Sequence, residues 1–167
     1  MSLKELKAGI YKAMLGSHSV YKGGIYKTTL ARELTKEERR FFERKKLGIE
    51  NFMVGCSQEE AETAFEKFII NFKMTSEEVS FLAAEFKHYP YKILQEAAYK
   101  ILYGEGIKIY GKPNIELVNT VLKIVLEPID TCVYNLNLIL NADFEKTFVK
   151  KDLSPEARAK IDVFIGK

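Results

Sequence analysis

The chain has 167 residues, 47% of them hydrophobic and 29% charged, with a formal net charge of +3, two Cys and no Trp. That length suits a single domain whose core needs neither metal nor disulfide support, and the composition describes a globular chain, neither disordered nor membrane-embedded. The longest apolar stretch, Leu117 to Leu140, is interrupted by Lys123, Glu127, Pro128 and Asp130, which argues against a membrane span. The opening MSLKELKAGIYKAML carries lysines where a signal peptide needs a continuous apolar centre, so a cytoplasmic protein is expected.

Taken in chain order, Leu3, Leu6, Ile10 and Leu15 fall on one side of a first helix over the opening fifteen residues, weakened by Gly9. GIYKAML at 9–15 then returns as GIYKTTL at 24–30, joined through LGSHSVYKG. Gly16, Gly23 and Gly24 argue against one continuous helix, so the pattern predicts two short segments folded back on each other. Ile10, Leu15, Ile25 and Leu30 would pack inward, with the Tyr-Lys pairs at the rim.

Several helix entrances share one spelling, a hydroxyl residue followed three places later by Glu, which lets side chain and backbone satisfy each other's orphan groups. Thr35-Lys36-Glu37-Glu38 opens a helix expected to end at Gly48. Ser57-Gln58-Glu59-Glu60 opens the next, with Ala61, Ala64, Phe65, Phe68, Ile69 and Phe72 on one apolar face. Thr75-Ser76-Glu77-Glu78 starts a third, with Val79, Leu82, Ala83 and Phe86 inward. Pro90 begins a fourth that buries Ile93, Leu94, Ala97, Ala98, Ile101 and Leu102 and stops at Gly104.

Two readings compete beyond Gly106. GIKIYGK alternates like a short strand, whereas Asn114 is placed to cap a helix over 114–126 through Ile115, Val118, Leu122 and Val125. VYNLNLILN alternates too, with Tyr134, Leu136, Leu138 and Leu140 opposite Asn135, Asn137 and Asn141, yet Val133, Leu136 and Leu140 also form a helical stripe. Near the end, Ser154-Pro155-Glu156 predicts a last helix carrying Ala157, Ile161 and Phe164.

The residues that carry chemistry are sparse. His18 and His88 stand in no metal-ligand spacing, and Cys56 and Cys132 form no CxxC pattern and sit among apolar neighbours, as structural thiols do. A dyad of His18 with Cys56 or Cys132 has no local motif behind it. Gly23-Gly24 and GEGIKIYG lack the frame of a phosphate loop and read as turns. The pairs Glu37-Glu38, Glu59-Glu60 and Glu77-Glu78 fall in first helical turns, where the dipole favours negative charge.

Charge distribution says more. Residues 1–48 hold twelve Lys and Arg against five Glu, a net of +7, whereas 49–167 carry a net of −4. Tyr11-Lys12, Tyr21-Lys22 and Tyr26-Lys27 alternate ring and cation, and the helix after Thr35 presents Lys36, Arg39, Arg40, Arg44 and Lys46 opposite Leu34, Phe41 and Phe42, with Glu43 among the cations. Phosphate-dominated binding needs such cations, and tyrosine rings offer stacking faces.

The expected fold is therefore mainly α, a single-domain bundle of about six to eight helices over 1–167, with a short β-hairpin within 106–141 as the competing local reading. The expected function is a non-enzymatic binding or regulatory module. Lys22, Lys27, Arg39, Arg40, Arg44 and Lys46, with Tyr21 and Tyr26 as stacking groups, would contact an anionic partner, nucleic acid first. The rival is a protein-protein adaptor or homo-oligomer in which the basic third of one copy meets the neutral-to-acidic body of another. No catalytic residue, metal or cofactor is expected.

Overall fold

The computed structural model describes residues 3–104 and 106–144. Within them the chain is mainly α, with seven helices and a three-stranded sheet. The helices are α1 (Lys4–Met14), α2 (Lys36–Phe52), α3 (Gln58–Phe65), α4 (Lys67–Phe72), α5 (Ser76–Phe86), α6 (Tyr91–Tyr103) and α7 (Ile115–Leu140). The strands are β1 (His18–Lys22), β2 (Ile25–Leu30) and β3 (Asp143–Phe144). The helix predicted from Ser154 lies outside the described residues.

The predicted entrances form. Thr35 with Glu38, Ser57 with Glu60 and Thr75 with Glu78 each close a reciprocal capping box, and the Asn114 side chain accepts from the Leu117 N–H at 2.9 Å to start α7. Helix α7 is the spine. Its 26 residues, about 39 Å at 1.5 Å per residue, pack against α1, α2 and α6, while α3 lies between α5 and α6. One apolar cluster runs through these contacts. At its far end Phe65, Phe68 and Phe86 are fully buried, with ring centroids 5.4 Å (Phe65 to Phe68) and 6.4 Å (Phe65 to Phe86) apart. Each such side chain contributes on the order of 1.5–3 kcal/mol by leaving water.

Several local expectations give way to packing. Helix α2 does not end at Gly48 but continues to Phe52, because the extra turn buries Ile49 and docks Phe52 on the core. That gain outweighs the roughly 1 kcal/mol cost of a helical glycine. The single helix expected after Ser57 is broken at Glu66 into α3 and α4, which keeps Phe65 and Phe68 inside and turns Ile69 and Ile70 outward. Lys73 ends α4 in the left-handed region, at φ 54°.

The hairpin belongs elsewhere than expected. It is not within 106–141 but at His18–Leu30, where β1 and β2 pair antiparallel from His18 opposite Thr29 to Lys22 opposite Ile25. Gly23 and Gly24, with φ of 62° and 82°, supply the two positive-φ corners of a primed two-residue turn. Strand β3 adds to β2 in parallel. Residues 132–141 are helical, since Cys132, Leu136 and Ile139 extend the buried stripe of Val118, Val121, Val125 and Ile129. Pro128 is tolerated inside α7 because it faces solvent, where water can satisfy the freed Ile124 carbonyl. In 106–113 the alternation survives only as burial: Ile107 and Ile109 touch the core and Tyr110 is exposed.

The doubled Gly-Ile-Tyr-Lys adopts two structures. Residues 9–12 lie in α1, whereas Gly24 is a turn corner and Ile25 to Lys27 open β2. Ile10 and Leu30 pack inward as expected, but Leu15 and Ile25 are exposed, because Leu15 follows the end of α1 and Ile25 sits beside the hairpin tip.

Candidate functional site

Register builds the candidate site. Tyr21 faces Tyr26 across the hairpin, so their rings meet at 4.9 Å between centroids while remaining 62% and 70% exposed. One step down the same face, the Ser19 and Thr28 hydroxyls share a hydrogen bond at 3.2 Å, and Thr28 and Leu30 are buried. This face thus runs from an aromatic tip to a root anchored in the core. Lys27, opposite Val20, is exposed, and Lys22 occupies the last position of β1, opposite Ile25.

Beside the hairpin lies a cleft of about 320 Å³ between β2 and the last turns of α7. Tyr26, Lys27 and Thr28 form one wall; Tyr134, Asn137 and Asn141 form the other, with Asp143 of β3 at the end. Helical geometry is what gathers the α7 residues: spacings of three and seven put Tyr134, Asn137 and Asn141 on one face. Alternation would have set Tyr134 opposite the asparagines. The Asn141 side-chain amide donates to the Asn137 carbonyl at 2.9 Å, which steadies the helix end.

The cations of α2 separate into groups. Arg39 reaches the C-terminal end of α7, its Nη1 donating to the carbonyl of Leu140, the residue before Asn141 of the cleft wall, at 3.4 Å. Arg40 and Arg44 lie on the outer face with Glu37, Glu43 and Leu47, along a groove of about 470 Å³. Arg44 Nε donates to the Arg40 carbonyl at 3.3 Å. That face alternates cation and carboxylate. Lys46 shares the flank of Arg39, two turns further on. Lys45, over the Phe41 ring at 5.4 Å and 3.4 Å from a Glu5 carboxylate oxygen, ties α2 to α1. The eight candidates therefore form no single patch: the hairpin and Arg39 converge on the end of α7, while Arg40 and Arg44 face away from the core.

The joint between these parts is the short link from β2 to α2. Arg32 forks onto Glu38 with contacts of 2.8 and 2.7 Å, and the same carboxylate accepts from the Thr35 N–H at 2.9 Å. The guanidinium, helped by that N–H, lowers the Glu38 carboxyl to about 2.

The remaining titratable candidates sit apart. Cys132 is buried and Cys56 half-buried, and burial pushes both thiols up, away from the thiolate that nucleophilic attack requires. His88 stacks on Tyr89 at 4.2 Å just past α5, and His18 begins β1. Among the described residues no three His, Cys, Asp or Glu side chains gather to hold a metal ion, and no helix is long and apolar enough to cross a membrane.

Tyr134, Asn137 and Asn141 are the members of the site that the sequence reading passed over. The signal was present in the i, i+3, i+7 spacing and became visible once 132–141 is helical. No family model, no curated protein and no solved structure matches the chain.

Proposed function

We propose that the protein is a non-enzymatic binding module that holds single-stranded nucleic acid at the hairpin end of α7. The observation that carries this reading is the cleft itself, with the exposed ring of Tyr26 on one wall and the exposed ring of Tyr134, beside the amides of Asn137 and Asn141, on the other. Rings of this kind stack on any base, and amides supply both donor and acceptor to a base edge. Only an unpaired base can enter such a cleft, so the expected ligand is single-stranded. Lys27 at the rim and Arg39 at the end of α7 supply cations for the flanking phosphates. Asp143 repels phosphate from the third side.

Fluorescence anisotropy with labelled oligo-dT, oligo-U and a DNA duplex, at about 50 and 200 mM salt, tests this. Tyr26→Ala and Tyr134→Ala are expected to weaken single-strand binding roughly tenfold or more, since each stacked base is worth about 1–3 kcal/mol. Lys27→Glu should flatten the salt dependence, whereas Arg40→Glu/Arg44→Glu, on the mixed-charge face, should change little. No binding at low salt sinks the proposal. A molecular mass that falls with salt, without nucleic-acid binding, would favour a homo-oligomer held by the charge asymmetry of the chain.

A further inference from the structure

A cavity of about 570 Å³ lies apart from the hairpin, where the start of α5 meets the link into α7. Its floor is apolar: Met74, Leu82 and Pro113 are buried and Ile115 is half-buried. Phe81 also lines it, with 61% of its surface exposed, so the ring contributes little to the fold by burial. No residue that lines this cavity also lines the hairpin cleft or the groove on α2, which makes it a separate bowl rather than a stretch of a longer track.

The charge around this floor is negative. Thr75 and Asn114 start α5 and α7, so the acids that favour first helical turns, Glu77, Glu78 and Glu116, gather at one rim. Among the lining residues Lys112 is the one cation, and it is already committed: its Nζ donates to both Glu78 carboxylate oxygens at 2.9 Å. Glu78 also accepts from the Thr75 N–H at 2.7 Å, and these donors hold its carboxyl below the usual range. Asn114 uses its side-chain oxygen on the Leu117 N–H. Three carboxylates and one ammonium sum to −2, and the two helix starts each return about half a positive charge, which leaves the rim about one unit negative. An anion would be repelled there, and a neutral apolar molecule would leave Glu77 and Glu116 without a partner.

We infer that this cavity binds a small organic monocation, an ammonium group carried on an apolar, ring-bearing body. The ammonium pairs with Glu77 and Glu116 at the rim, while the body covers the apolar floor and the Phe81 ring. Apolar lining with a few charged groups is the usual make-up of a small-molecule site, and the volume lies within the customary range of about 300–1,000 Å³. A cation held near the Phe81 face gains further from the ring quadrupole.

The test uses the full chain and three molecules of one shape, 3,3-diphenylpropylammonium, 3,3-diphenylpropanol and 3,3-diphenylpropanoate, with tetramethylammonium as the charge without the rings. Titration followed by amide NMR shifts reads both affinity and place. At ordinary ligand efficiency the diphenylpropylammonium should bind with a Kd of about 0.3 mM, shifting residues 74–82 and 112–116. The alcohol should bind about tenfold more weakly for want of the charge, and the propanoate and tetramethylammonium should not bind measurably. Glu77→Gln and Glu116→Gln should each weaken the ammonium severalfold and leave the alcohol unchanged, whereas Phe81→Ala should weaken both. All three side chains are exposed, so melting curves close to wild type are expected and would separate lost contacts from lost fold. No ammonium binding at millimolar concentration, equal or tighter binding of the alcohol, the propanoate or tetramethylammonium, shifts centred elsewhere, or indifference to both Glu variants would each overturn the inference. Tyr26→Ala should leave ammonium binding intact, so this site and the hairpin cleft fail or stand separately.

Discussion

Replacing Glu38 with Gln removes one charge from the joint between β2 and α2 while keeping a side chain that still accepts from the Thr35 N–H. The variant therefore isolates the interaction with Arg32. The carboxyl stands at about 2 in the folded chain against an ordinary 4.5, and at about 1.4 kcal/mol per tenfold change in proton affinity that displacement sets a ceiling of about 3 kcal/mol. Because the Arg32 side chain is 47% exposed, solvent screening reduces the expected value to about 1–2 kcal/mol. The sign follows from the lowered value: the stabilisation is complete above the unfolded value of 4.5 and is lost as pH falls towards about 2. Urea denaturation of wild type and Glu38→Gln at pH 7, 5, 4 and 3 should show a difference of about 1–2 kcal/mol at the upper two and a progressive narrowing below. A double-mutant cycle with Arg32→Gln should return most of that difference as coupling. A pH-independent difference, or a neutral Glu38→Gln at pH 7, would refute the reasoning.

Other substitutions test the backbone. A Cβ at Gly55 would lie 2.8 Å from the Lys87 carbonyl oxygen and 3.0 Å from the His88 Cα, so Gly55→Ala should destabilise by about 1–3 kcal/mol in a urea melt. Lys73→Gly relieves a left-handed lysine and should stabilise by about 0.5–1 kcal/mol after the entropy of the unfolded glycine is counted. Pro128→Ala restores an N–H within α7 without disturbing the core and should raise the melting temperature by a few degrees, since each kcal/mol is worth about 2–4 °C at this chain length. A melting temperature that falls would mean that the ring of Pro128 packs against α6 through Ile93 and Glu96 more tightly than its exposure suggests.

Much of the helical layout could be read from local chemistry because it is set locally. A hydroxyl cap and a Glu three residues on act within one turn, so Thr35, Ser57 and Thr75 announce α2, α3 and α5 without reference to the rest of the chain. The hairpin was nearly as legible. Ser-Val-Tyr-Lys and Ile-Tyr-Lys-Thr-Thr are good strand formers, and Gly-Gly between them fits a two-residue turn, a stronger signal than the alternation in 106–141. The cations of α2 were legible as charge but not as geometry, since which of them meet depends on the docking of α2 against α7.

What the sequence by itself determined, then, are the features whose energy is contained within a turn or two: the capping boxes, the glycine corners and the apolar stripes of α5 and α6. The tertiary structure decided the rest. Gly-Ile-Tyr-Lys has no intrinsic state strong enough to hold in both places, so burial of Ile10 makes one copy helix and pairing with β1 makes the other strand. Leu136 and Ile139 lock 132–141 as helix only because α7 has a core to face along its whole length. That choice, made by packing, turns Tyr134, Asn137 and Asn141 to one side and places them across from Tyr26.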